Sequence, residues 1–102
     1  LRMFYQVRFF RSAVPVIGHH PDAIAFGKEI TEYVRAKYGT DTQLFVDSEG
    51  TLYWITDYQD HAAFGEVRTA IVSDPGYWEI VNRAKGLLLD GTIADTVINS
   101  VD

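Results

Sequence analysis

The chain begins with residues that alternate between two faces over positions 3–11, which is the pattern of a β-strand. One face carries Met3, Tyr5, Val7 and Phe9, and the other carries Phe4, Gln6, Arg8 and Phe10. Two later segments, 42–47 and 51–58, are rich in β-branched and aromatic residues, and the short turn between them predicts an antiparallel hairpin. Residues 92–101 predict a last strand.

Helical spacing of apolar residues separates these strands. Over 23–38 it predicts a first helix, with Asp22 as its N-cap and Gly39 as the residue that ends it. Asp60 is the expected N-cap of a second helix.

A third helix is expected directly after the second one. It starts at Pro75 behind the capping residue Asp74, and its apolar spacing extends to Leu88.

This order of elements predicts an α+β, ferredoxin-like βαββαβ domain with an extra helical segment before the last strand. Its four-stranded antiparallel sheet is covered by helices on one face. The other face carries aromatic residues, and an exposed apolar sheet face favours association. We therefore expect one domain over 1–102, paired sheet against sheet into a homodimeric α/β barrel.

Composition narrows the function classes. The 102 residues carry a net charge of −5 and no cysteine, so thiolate chemistry and cysteine-ligated metal sites are excluded. Dispersed basic residues on an acidic chain predict no nucleic-acid partner and no membrane partner. Without a signal-peptide pattern, we expect a cytoplasmic protein. The aromatic fraction of 14% exceeds what one sheet face needs, which favours a second buried surface.

Several segments of the second half carry a family resemblance. They are WITDYQD at 54–60, AF at 63–64, SDPGYW at 73–78 and GTIADT at 91–96. With the order of elements, they make the chain similar to the dimeric α/β-barrel superfamily, which includes antibiotic biosynthesis monooxygenase-like and NIPSNAP-like proteins. The resemblance implies a dimeric ferredoxin-like fold and, as in several members, chemistry without a metal.

One residue of that superfamily has no counterpart at the matching position. Many monooxygenase-like and haem-degrading members carry a histidine a few residues into the helix after the third strand. Positions 65–67 hold none, and His61 lies about one turn earlier. The resemblance therefore assigns neither haem ligation nor cofactor-free oxygenation to a particular residue of this chain.

Arg8 is the most informative charge. A register that pairs Met3 with Ser100 sets Arg8 opposite Asp95 on the face that lies inside the dimer barrel. This pair is a candidate anchor for a carboxylate or phenolate, with a structural ion pair or an interface contact as the alternative.

Side chains near the third strand are further candidates. Tyr53 and Asp57 share one face, and either can exchange a proton with an aromatic substrate, as can His61 at the following helix start. The alternatives are packing in the core or in an interface for the aromatic residues, and helix capping for Asp57. The expected aromatic lining of the ligand site is Phe4, Phe10 and Trp54.

The favoured function is binding of a small apolar or aromatic molecule between sheet and helices. Cofactor-free monooxygenase- or cyclase-type chemistry is a further option, and no cofactor or metal is expected. Two alternatives stay open: a haem- or metal-binding protein that uses His19, His20 or His61, and a structural homodimer without a ligand.

Overall fold

The computed structural model describes residues 5–101. The strands are Val7–Ala13 (β1), Asp41–Val46 (β2), Leu52–Tyr58 (β3) and Ala94–Asn99 (β4), and the helices are His20–Tyr38 (α1), His61–Val72 (α2) and Pro75–Asn82 (α3). The strands form one antiparallel sheet in the order β2-β3-β1-β4. This confirms the α+β, ferredoxin-like prediction, and the sheet of the chain is open rather than closed into a barrel.

The core lies between the sheet and the helices. On β1, Val7, Phe9 and Ala13 are buried, and Leu52 and Tyr58 are buried beside them on β3. α1 packs on β2 and β3, and α3 packs on α1. The alternate residues of each strand therefore point to the opposite face, which we call the open face.

Two predicted helix ends are confirmed. The Asp60 carboxylate accepts a hydrogen bond from the Ala63 N–H at 2.8 Å and caps α2. At the end of α1, Gly39 has a φ of 64° and its N–H donates to the Arg35 carbonyl at 3.0 Å. That left-handed conformation suits glycine, which has no Cβ to clash.

The predicted start of α1 is wrong. The helix begins at His20, so Asp22 lies in its first turn and His19 is the capping residue. Pro21 is accommodated there because the N–H groups of a first helical turn need no intrahelical partner.

The predicted end of α3 at Leu88 is also wrong, because the helix ends at Asn82. Tight turns follow, in which the Ala84 N–H donates to the Val81 carbonyl at 2.9 Å. Gly86 has a φ of 82°, and Leu88 forms a bridge with Pro15 after β1. Pairing with a distant segment thus overrides the local helical spacing.

A buried carboxylate joins α1 to α3. Asp74 caps α3 by accepting from the Gly76 N–H at 3.0 Å. It also accepts hydrogen bonds from the hydroxyls of Tyr38 at 2.5 Å and Tyr33 at 2.8 Å, and it pairs with Lys37 at 3.0 Å. The Tyr38 bond, the Tyr33 bond and Lys37 hold the pKa of Asp74 well below its usual range.

Candidate functional site

A cavity of about 350 Å³ lies between the sheet and the helices. Its apolar wall comes from both layers and includes Phe26, Ile30, Val34, Ile71, Val81 and Leu88. The segment that follows the early end of α3 also lines the cavity, and residues 84–91 form turns there instead of continuing the helix. A cavity of this volume and polarity suits a small organic ligand.

Trp54 lines the cavity with its ring. Its ring packs edge-on against Phe26, with ring centroids 6.3 Å apart. The indole Nε1 is buried, and no acceptor among the described residues lies within hydrogen-bonding distance. A buried N–H without an acceptor costs roughly 1–3 kcal/mol, so Trp54 is held in place by packing rather than by a hydrogen bond from its indole nitrogen.

A cluster of donors lies elsewhere in the cavity wall. The Arg11 guanidinium donates to both carboxylate oxygens of Asp95, at 2.7 and 2.8 Å, and reaches the Tyr77 hydroxyl at 3.5 Å. The guanidinium carbons of Arg11 and Arg68 lie 5.4 and 5.0 Å from the Phe9 ring centroid. Two cations therefore share the wall around one phenylalanine ring.

Charge and burial set the protonation of this cluster. The Arg11 hydrogen bond lowers the pKa of Asp95, and Arg68 adds to this from farther away. Burial raises the pKa of Tyr58, while Arg68 and Arg11 act in the opposite direction. The Tyr58 hydroxyl thus stays protonated at neutral pH and is available as a donor.

The predicted Arg8–Asp95 pair is wrong. β1 and β4 pair with Val7 opposite Asn99, three residues away from the predicted register. An odd shift exchanges the faces of a strand, so Arg11, on the helix-covered face, lies opposite Asp95. Arg8 instead pairs with Asp57 across β1 and β3, at 2.5 and 2.9 Å, on the open face. Asp57 is therefore not the cap of α2.

The other candidates are dispersed. Tyr53 lies on the open face and donates to Asp47 at 2.9 Å, and Phe10 lies on the same face. His61 is the exposed first residue of α2. Phe4 lies outside the described residues. Trp54 lines the cavity. Asp95 does not line it, but accepts a hydrogen bond from Arg11, which does.

Sequence reasoning missed Arg11, Arg68, Tyr58 and Tyr77 as site residues. A signal existed for both arginines. Arg11 continues the alternation of Val7 and Phe9, and Arg68 lies four residues after Phe64 on the apolar stripe of α2. A cation at a position that periodicity assigns to the core indicates a polar site in the interior.

Neither a metal-ligand cluster nor a membrane span is found in residues 5–101. No three histidine, aspartate or glutamate side chains of that range are grouped so that they could hold a metal ion. The helices within it are too short or too polar to cross a bilayer.

Solved structures with the same architecture place the chain among known folds. A NIPSNAP family protein of unknown function from Agrobacterium tumefaciens superposes with a TM-score of 0.78 at 11% identity, covering 98% of this chain and 94% of that one. A protein from Deinococcus radiodurans, provisionally named an antibiotic biosynthesis monooxygenase, gives 0.71 at 14% identity, covering 94% and 93%. The chain shares their ferredoxin-like fold.

A third structure, the Rv0793 protein of Mycobacterium tuberculosis, has a TM-score of 0.70 and 21% identity over 94% of this chain and 95% of that one. No family model matches this sequence, and no curated protein does either. The resemblance seen in the sequence is thus confirmed at the level of the fold, since identities this low carry no activity from one protein to another.

Proposed function

We propose that the protein binds a small, largely aromatic molecule in the cavity between sheet and helices. The cavity of about 350 Å³, with its largely apolar wall, is the observation that carries the proposal. The apolar wall favours an aromatic body, and the donors of Tyr58, Tyr77 and Arg68 in that wall favour a ligand with a hydrogen-bond acceptor such as a carbonyl.

Tryptophan fluorescence tests this proposal. Trp78 is half-exposed on α3, so a Trp78→Phe variant leaves Trp54 as the sole tryptophan reporter. Titration with 2-naphthamide is expected to quench Trp54 in a saturable manner. 2-Methylnaphthalene, which lacks the acceptor, is expected to bind about tenfold more weakly.

Trp54→Phe provides the matched variant, measured by calorimetry because it removes the reporter. It is expected to keep the preference for 2-naphthamide, because the donors of Tyr58, Tyr77 and Arg68 remain in the cavity wall. If no compound in a panel of two-ring aromatics quenches Trp54 at millimolar concentration, the binding proposal is wrong.

A sheet-to-sheet homodimer accompanies this function in our proposal. The helices lie on one side of the sheet, and the open face carries Phe10, Phe45, Ile55 and Ile98. Phe45 and Ile98 are 47% and 48% exposed in the single chain. Covering these side chains against a second copy removes apolar surface from water through a self-complementary interface.

The open-face residues named as catalytic candidates fit this interface better than the cavity. Arg8 and Asp57 neutralise each other, so they can be covered by a second copy without an unpaired charge. We therefore assign Arg8, Asp57 and Tyr53 to the dimer contact.

Light scattering at micromolar concentration tests the dimer. The expected mass is near twice 11.5 kDa. A Phe45→Asp, Ile98→Asp double variant is expected to be monomeric, because four carboxylates would face each other across the interface. Ile17→Asp, at a turn residue that is 91% exposed, is expected to stay dimeric. A stable unmodified monomer of 11.5 kDa contradicts the proposal.

A further inference from the structure

The charged side chains around the Phe9 ring in the cavity wall are Arg11, Arg68 and Asp95, which together carry one net positive charge. Arg11 is paired with Asp95 through two short hydrogen bonds. Arg68 forms no ion pair with any carboxylate of the described chain. Its side chain is partly buried, and its guanidinium lies 5.0 Å from the Phe9 centroid. One half-buried cation in the wall thus lacks an anion.

Two tyrosine hydroxyls belong to side chains that line the same cavity as this cation. The Tyr58 hydroxyl makes no hydrogen bond to another described residue, although the side chain is buried and lines the cavity. The Tyr77 hydroxyl accepts from Arg11, which leaves its own proton free to donate. Arg68, Tyr58 and Tyr77 therefore present donors to the same cavity, while the carboxylate of Asp95 is occupied by Arg11.

The remaining charges on the cavity wall do not neutralise Arg68. Lys85 and Asp90 both come from the turn segment after α3, are exposed, and have opposite signs. The chain as a whole carries −5, so its long-range field gives no reason for anions to collect here. Any attraction for an anion must come from the local donors.

We infer that Arg68, with Tyr58 and Tyr77, binds the carboxylate of an aromatic or apolar monocarboxylic acid. The inference rests on the proposed function, because the apolar wall must hold the body of that acid. A monoanion matches the single unneutralised cation, and the planar guanidinium suits a carboxylate through paired hydrogen bonds. A dianion such as a phosphate monoester would leave one charge uncompensated in an apolar wall.

Calorimetry with two probes of nearly identical shape tests the inference. 2-Naphthoate and 2-naphthamide differ mainly in charge. The unmodified protein at pH 7 is expected to bind the naphthoate at least about tenfold more tightly. In Arg68→Gln this preference is expected to vanish, with the affinity for 2-naphthamide kept within about threefold.

Two further variants separate the role of the guanidinium from charge and folding. Lys28→Gln removes one positive charge from an exposed site on α1, outside the cavity wall, and is expected to keep the preference. Arg68→Lys keeps the charge but not the planar fork, and an intermediate preference is expected. Circular dichroism confirms that each variant is folded before it is titrated.

The outcomes are distinguishable. If both probes bind the unmodified protein equally, and Arg68→Gln changes neither affinity, the carboxylate inference is wrong while the proposed function stands. If neither probe binds, the proposed function fails and the inference fails with it. If Lys28→Gln loses the preference to the same extent as Arg68→Gln, the effect is one of net charge, which also overturns the inference.

Discussion

Replacing Val81 by phenylalanine is expected to weaken ligand binding in the cavity at least about tenfold and, at the same time, to raise the melting temperature. Val81 is on the last turn of α3, contacts the core formed by α1 and α3, and lines the cavity. The added ring has about 350 Å³ of space to enter. Filling a cavity typically stabilises a domain by about 1 kcal/mol, which for this length raises Tm by several degrees.

The same ring removes the space that an aromatic ligand would use. Overlap between buried groups costs about 1–3 kcal/mol, so the affinity for 2-naphthamide is expected to fall by at least about tenfold. Scanning calorimetry and fluorescence titration measure the two effects. Val72→Phe, at a residue of α2 that is 54% exposed, is the matched control and is expected to change neither quantity appreciably.

Opposite signs make this test informative. A variant that merely misfolds loses affinity and stability together, whereas a filled cavity loses affinity and gains stability. Unchanged affinity in folded Val81→Phe would mean that the ligand binds outside the cavity.

The sequence was sufficient for the architecture because strand and helix periodicities are local properties. Asp60 and Gly39, for example, act within one or two turns of their own position, and both helix ends follow from them. The order of strands and helices along the chain then restricts the sheet topology to a few possibilities. The open sheet with order β2-β3-β1-β4 agrees with that reasoning.

The site was less predictable because it depends on pairing between distant segments. The register of β1 and β4 is set by contacts between residues more than 80 positions apart, and both strands carry apolar residues on both faces. The pattern therefore does not distinguish the two faces. The strand register expected from the sequence differs by three residues from the observed one, so it places Asp95 opposite Arg8 instead of Arg11. Similarly, the bridge between Leu88 and Pro15 shortened α3 and shaped the cavity wall.

Asp74→Asn is expected to lower the melting temperature at pH 7 by more than about 5 °C. The carboxylate is 5% exposed and accepts hydrogen bonds from the two tyrosine hydroxyls at 2.5 and 2.8 Å. Burial, together with Asp74, raises the pKa of Tyr38 to about 12, so this hydroxyl remains a donor. An asparagine has no charge for Lys37 and offers a single acceptor oxygen.

The deficit is expected to shrink as the pH is lowered. Because the pKa of Asp74 is depressed in the folded state, the folded chain binds fewer protons than the unfolded chain. The stabilisation is therefore complete above the unfolded pKa of about 3.9 and is lost as the pH falls below it towards the folded pKa. Melting curves of both proteins should converge over that range, since protonated aspartate and asparagine are both neutral.

A second capping aspartate separates the buried charge from the cap. Asp60 caps α2 through the Ala63 N–H in the same way, but its side chain is exposed. Asparagine is nearly as good an N-cap as aspartate, so Asp60→Asn is expected to change Tm little at any pH. Equal melting temperatures for Asp74→Asn and Asp60→Asn at pH 7 would mean that Asp74 contributes only as a cap. A larger, pH-dependent loss for Asp74→Asn alone would show that the charge itself ties the last turns of α1 to α3, the helix from which Tyr77 and Val81 reach the cavity.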